Sequence, residues 1–269
     1  NPFEAIKLIF WDPIMSPTFS EYSRPQLVIK AAPLILIALG LSFGFRANIW
    51  NIGAEGQYIM GALISGSVGL ALYPLDSMVI FPLMILGGII GGILWAMIPA
   101  ILKIRFNTNE ILVSLMLVYV AEQILALASV GFLRNPEGLG FPGSRDLSKY
   151  PSAANPELVA NSGIHMGVIF SIIAVIVLTY FLIYHRLGFQ IKLLGQAPKA
   201  SKFSGVNSNY IIIFCLGLSG GLAGVAGMFE LTGPAGLINI DFNVGYGFTA
   251  IIVAFLGRLH PIGILFAGL

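Results

Sequence analysis

The chain predicts an all-α, polytopic bundle of membrane-spanning helices, on three observations. Charged residues make up 10 % of its 269 residues against 57 % hydrophobic, with a mean hydropathy of +0.90, whereas a soluble chain of this size carries roughly a quarter charged residues. Charge-free stretches run from Gly56 to Leu75 and from Ser77 to Leu102, each matching the ~20 residues a bilayer-crossing helix requires. The apolar segments lack the polar–apolar alternation of barrel strands. A formal net charge of +2 does not suggest a nucleic-acid partner.

Bounded by charges, Pro and Asn, the hydrophobic segments fall at 28–46, 56–75, 78–102, 108–133, 161–184 and 208–229, with a more broken apolar stretch from 231 to the end. All read as helices. Small residues within them, as in Leu86-Gly-Gly-Ile-Ile-Gly-Gly-Ile93 and from Leu218 to Gly227, allow the close helix approach that packing in lipid needs.

Orientation follows from the loops, because Lys and Arg stay preferentially on the cytoplasmic side. Arg186, Lys192, Lys199 and Lys202 share one loop with no acid, and Lys103 and Arg105 precede Glu110; both loops belong inside. The loop from Arg134 to Glu157 balances its bases and acids and belongs outside. Counting spans from these anchors puts residues 1–27 outside, 47–55 inside, Tyr73 to Asp76 outside and the region after Met228 outside. The parity closes without contradiction.

The first residue is Asn, and the chain closes on the apolar run Ile262 to Leu269. The domain, 1–269, is therefore expected to be trimmed at both ends, with at least one helix missing at each. No charged start followed by a short apolar region and a small-residue cleavage site appears at the front.

Polar residues inside a membrane are expensive and are functional candidates, although helix–helix contact is a frequent structural use. The densest cluster is Asn48-Ile-Trp-Asn-Ile-Gly-Ala-Glu-Gly-Gln57, just before an apolar helix; a second is Asn243-Val-Gly-Tyr-Gly-Phe248. The span count enters the first from inside and the second from outside, as inverted repeats with Gly-interrupted helices would. A transport path built on Asn51, Glu55, Gln57, Asn243, Tyr246 and Phe248 is one reading. Helix starts capped by Asn, with Gly for tight turns, are the other. Glu55 is a proton or cation site or, preferably, an acid favoured by the first-turn helix dipole. Asn109 and Glu110 open a helix as caps or gates, and Glu122 faces a polar cavity or another helix. Glu230 and Asp241 bracket a Gly- and Pro-rich element, external or re-entrant.

His165, His185 and His260 lack metal-ligand spacing and read as interfacial, and no metal or cofactor is expected. Trp and Tyr read as interface anchors. Cys215, the single cysteine, reads as a small buried hydrophobe. No phosphate loop, zinc-protease helix or nucleophile elbow is present. The chain is therefore expected not to be an enzyme, and energy must come from an ion gradient or a partner.

In the inside loop, Pro198 stands at a first helical position, followed by Lys199, Ala200 and Ser201, with Gly205 as a stop. A short exposed helix follows, suited to docking in a groove of a cytoplasmic partner; a basic loop touching anionic membrane lipid is the alternative.

Here the sequence resembles the permease subunits of bacterial ABC importers for nucleosides and simple sugars, in the branched-chain amino acid and ribose permease superfamily. The resemblance covers nearly the whole chain. It rests on Asn1-Pro-Phe-Glu-Ala5, the run from Phe45 to Gln57, Asn109-Glu-Ile111, the inside loop, Gly245-Tyr-Gly-Phe248 and Leu256-Gly-Arg-Leu-His-Pro-Ile-Gly263. It implies two permease subunits, two cytoplasmic ATP-binding subunits gripping the loop through Gly195, Ala197, Pro198, Lys199, Ala200, Ser201 and Gly205, and an external lipid-anchored substrate-binding protein. It also implies the bacterial cytoplasmic membrane and a nucleoside-type cargo before a pentose or hexose. The chain departs from the family pattern at Val118, where members usually place Asn. The reading is an ATP-driven importer subunit that alternates access around a central cavity. Its rival is an ion-coupled secondary transporter using Glu55, Glu110 or Glu122.

Overall fold

The computed structural model describes residues 1–16, 20–159 and 162–269. Among these, regular structure is helical apart from one antiparallel bridge between Glu157 and His165. Helices α1 (Pro2–Ile6) and α2 (Asp12–Met15) flank a π-helical turn, Lys7–Trp11. The bundle follows: α3 (Ser20–Arg46), α4 (Ala54–Ala71), α5 (Ile80–Phe106), α6 (Glu110–Val130), α7 (Met166–Tyr184), α8 (Arg186–Gln196), α9 (Pro198–Phe203), α10 (Ser208–Thr232), α11 (Tyr246–Leu256) and α12 (Pro261–Gly268).

The predicted spans are all present, with shifted ends. α3 starts well upstream of residue 28 and continues through Pro25 and Pro33, each of which leaves one intrahelical hydrogen bond unmade. The predicted start of the fifth span, at 161, lies outside the described residues. The broken stretch from 231 resolves into α11 and α12, both too short to cross a bilayer alone.

Helices α3, α5, α6, α7 and α10 are long and apolar enough to cross a membrane. α4 is absent from that group because Glu55, Gln57 and its serines and glycines lower its hydropathy; its neighbours are protein, since α5, α6, α10 and α11 pack around it and 12 of its 18 residues are buried. The α4–α5–α10 contact depends on glycine. A Cβ on Gly92 would collide with the Gly220 carbonyl, and one on Gly61 with Gly224, so these helices approach at backbone distance.

The loops sort to two ends, except that residues 51–55, which the span count put inside, return to mid-depth. At one end, Ser144 N–H donates to Ile238 O (2.9 Å), Leu147 N–H to Gly236 O (2.7 Å) and Asn155 N–H to Thr232 O (3.0 Å). Ser77 N–H donates to Ser152 Oγ there (3.1 Å). At the other end, Arg46 Nε donates to Leu259 O (2.8 Å), and Lys103 pairs with Glu110 (2.5 Å). Among the described residues, that second end holds Arg46, Lys103, Arg105, Arg186, Lys192, Lys199, Lys202 and Arg258 with Glu110 as the one acid, the charge pattern of a cytoplasmic face.

Two expectations are corrected. Tyr58 and Tyr150 are buried rather than placed at the interface, because each lies where neighbouring helices or loops close over it. His165 is likewise buried. Cys215 is buried as expected, its Sγ 3.6 Å from Phe43 O.

Candidate translocation site

The two polar helix starts meet inside the bundle. After α3 ends, residues 47–53 turn back from the inner end in non-helical backbone, and α4 begins at Ala54. From the outer end, the chain passes a 3₁₀ turn, Ile240–Phe242, and α11 begins at Tyr246 after Gly245 in the left-handed region (φ 82°). The Glu55 carboxylate joins them, accepting from Gly245 N–H (3.0 Å) and from Gly247 N–H. It thus lies in the first turn of α4 and caps the start of α11, so the positive ends of two helices face one acid. A Cβ at Gly247 would collide with the Glu55 backbone.

Both starts sit at mid-depth. Asn51 Nδ2 donates to Ser219 Oγ (2.9 Å), and Ser219 is near the middle of α10, about 17 Å along it from the inner end. Asn243 Nδ2 donates to Glu122 Oε1 (2.6 Å), and Glu122 is near the middle of α6. From there α11 descends about 16 Å to the inner end.

Asn51 and Gln57 are buried and face each other. Asn51 Nδ2 donates to Gln57 Oε1 (3.0 Å), while Asn51 Oδ1 accepts from Gln57 Nε2 (3.3 Å) and from Gly53 N–H (3.0 Å). Ile52 N–H donates to Ser114 Oγ (3.2 Å). The irregular backbone of 51–53 therefore has its partners supplied by side chains, as non-helical chain at membrane depth must.

Around Asn243 the accounting does not close. Asn243 Oδ1 and Tyr58 Oη are buried and have no hydrogen-bond partner; the indole N–H of Trp95, likewise buried and unpartnered, lies apart from them beside Gly56. The Tyr58 ring stacks on Phe242 (centroids 5.3 Å, 18°) and meets Tyr246 edge-on (5.9 Å, 62°). Phe248, in the first turn of α11, is partly exposed. Val118 is buried against the start of α4, where a Cβ on Gly56 would lie 3.2 Å from its Cα. Tyr58, Trp95 and Phe242 were not among the sequence candidates. Only Trp95 carried a usable signal: a Trp well inside a span is out of place for an interface anchor.

Glu110 pairs with Lys103, and Asn109 Oδ1 caps α6 by accepting from Ile111 N–H (2.9 Å). Among the described residues no group of three or more His, Cys, Asp or Glu side chains could hold a metal ion.

At the inner end, α9 starts at Pro198 and stops before Gly205 (φ 75°). Pro198, Lys199, Ala200 and Gly205 are exposed, and Ala197 is half-buried. Ser201 is buried, and a Cβ on Gly195 would collide with the Arg46 carbonyl, so these two residues seat the segment on the bundle. Phe203, 96 % exposed, is the apolar residue on this face that the sequence reading passed over.

A helical bundle of membrane length, interrupted at mid-depth by two polar helix starts arriving from opposite ends, defines a membrane transport protein. The chain belongs to the family of branched-chain amino acid transport system permease components, whose model matches residues 25–269. It is similar to the glucose ABC transporter permease protein TsgB13 of Haloferax volcanii, with 30 % identity over 100 % of this chain and 71 % of the relative. It is also similar to the nucleoside ABC transporter permease protein NupB of Lactococcus lactis (29 %, 96 % of this chain, 72 % of the relative). A third relative is the guanosine ABC transporter permease protein NupP of Bacillus subtilis (27 %, 91 % and 70 %). No solved structure matches the chain at a significant level. The chain is thus a multi-pass permease subunit of an ABC importer and a transport component rather than an enzyme. Membership implies work alongside ATP-binding and substrate-binding components. Nothing in these similarities favours the ion-coupled alternative.

Proposed function

We propose that the chain lines the path of an importer for nucleosides or simple sugars in the bacterial cytoplasmic membrane. On this reading it works with a second permease subunit, two ATP-binding subunits docked on α9, and an external lipid-anchored binding protein. Cargo meets Asn243, Tyr246 and Phe248, while Asn51, Glu55 and Gln57 hold the two helix starts in place. The observation that carries this reading is the pair of unpartnered polar atoms on Tyr58 and Asn243 at the aromatic stack at mid-depth. A neutral, hydroxyl-rich cargo with a base or sugar ring can use the aromatic faces and satisfy the stranded groups. Of the three acids near the stack, Glu55 already accepts hydrogen bonds from backbone and Glu122 from Asn243, which leaves Glu230, within electrostatic reach of Tyr58 and Tyr246, as the acid open to a cargo hydroxyl. Glucose and nucleosides are also the solutes named for the relatives.

The test is uptake into proteoliposomes holding the assembled importer and its binding protein. Uptake of labelled guanosine, uridine or glucose is expected to require ATP and to saturate. Uptake driven by a proton or sodium gradient without ATP would overturn the ATP-driven reading, and uptake of charged amino acids alone would overturn the cargo class.

A further inference from the structure

At the inner end, α3, α7, α8 and the start of α12 enclose a cleft of about 310 Å³. Its polar side chains are Arg46, Lys192, His260 and Thr179, the last of which donates to Val175 O (2.6 Å); Leu182, Ile183 and Phe189 supply apolar walls. Arg46 is half-buried, and its Nε is held by Leu259 O (2.8 Å). Among the described residues its two terminal nitrogens have no hydrogen-bond partner, and neither Arg46, Lys192 nor His260 makes an ion pair. The one acid at this end, Glu110, is taken by Lys103 at 2.5 Å. Pro261 opens α12 at the same cleft, adding the positive end of a helix.

A partly desolvated guanidinium beside an ammonium, with no carboxylate to offset them, is an arrangement completed by an anion. The walls say which kind. Ile183 and Phe189 are largely exposed at the level where α7 leaves the membrane, so the cleft opens onto the headgroup zone of the leaflet that carries anionic lipid. We propose that this cleft binds a phosphate group, that of an anionic phospholipid, with Arg46, Lys192 and His260 on the phosphate and the acyl chains along Ile183 and Phe189. The site lies at the inner end, away from the mid-depth cluster, and does not depend on the identity of the cargo.

The test is thermal unfolding of the purified subunit in neutral detergent, with phosphatidylglycerol, phosphatidylcholine or inorganic phosphate added. Because Arg46 also braces the α11–α12 turn, the probe variant is Lys192→Gln with His260→Gln, both exposed positions. Phosphatidylglycerol is expected to raise Tm by about 5 °C at saturation, phosphatidylcholine by much less, and the difference is expected to vanish in the double variant. An equal shift with inorganic phosphate, also lost in the variant, supports the phosphate site and identifies a soluble ligand as its source. Equal shifts from both lipids, or a phosphatidylglycerol shift unchanged in the variant, would overturn the proposal. So would stabilisation by the ATP-binding subunit alone, lost in the variant, since a protein carboxylate would then be the occupant.

Discussion

Glu55, in the first turn of α4, caps a helix that starts 191 residues further along the chain: its carboxylate accepts from the backbone N–H groups of Gly245 (3.0 Å) and Gly247 at the start of α11. Neither helix start has a side-chain cap of its own. Each stranded buried donor costs about 1–3 kcal/mol. Glu55→Ala should therefore lower Tm by about 4 °C or more, and Glu55→Gln, which keeps one acceptor, by less. A Glu55→Ala protein melting with the wild type would remove the cap from the account.

Tyr58→Phe separates a cargo contact from a packing role. The phenol oxygen has no partner, so removing it keeps the ring stack on Phe242 and should leave Tm unchanged or slightly higher. If cargo satisfies that hydroxyl, apparent affinity for uptake should fall roughly tenfold, the ~1.4 kcal/mol of one hydrogen bond. Unchanged affinity would place recognition elsewhere.

Gln57→Ala should behave in the opposite way. The Gln57 amide is paired with Asn51 on both sides, and deleting it leaves part of the Asn51 amide unsatisfied in a dry interior. The expected outcome is a lower Tm with uptake affinity unchanged in the folded fraction. Weakened affinity at wild-type Tm would put Gln57 on the cargo instead.

Ala200 and Gly195 lie five residues apart and should fail for different reasons. Ala200 is exposed on α9, so Ala200→Trp should leave Tm intact while abolishing transport and cargo-stimulated ATP hydrolysis in the assembled importer. Gly195→Ala drives a methyl into the Arg46 carbonyl and should lower the yield of folded subunit. Transport at the wild-type rate in Ala200→Trp would exclude α9 as the docking element.

His165 gives the outer end a pH response. Its Nδ1 accepts from Gly167 N–H (3.1 Å) and faces the Asn155 amide nitrogen (3.1 Å), whose oxygen accepts from Met166 N–H. The fold thus requires the neutral ring, and burial pushes the imidazole down to about 4. The unfolded chain takes up this proton near pH 6.5, so the stabilisation is complete above about pH 6.5 and is lost as pH falls towards 4, on the order of 3 kcal/mol in all. Tm should drop across that interval, and His165→Asn, which keeps an acceptor for Gly167, should flatten the drop. An equal drop in the variant would assign the response to other groups.

The sequence by itself determined the helical spans, their parity and the pairing of two polar helix starts from opposite sides, because hydropathy, Gly and Pro placement and loop charge are local properties of a chain in a bilayer. α9 was legible for the same reason: Pro198 and Gly205 fix its ends within eight residues. Only the tertiary structure decided which groups meet. Asn51 finds Ser219 across 168 positions and Asn243 finds Glu122 across 121, and no periodicity records those partners. Burial was equally hidden. Tyr58 reads as an interface anchor from its residue type alone, and it becomes a buried, unpartnered hydroxyl because α4 is enclosed by other helices instead of lipid. The inner cleft has the same origin, since Arg46, Lys192 and His260 share no stretch of sequence and come together only where the ends of α3, α7, α8 and α12 converge.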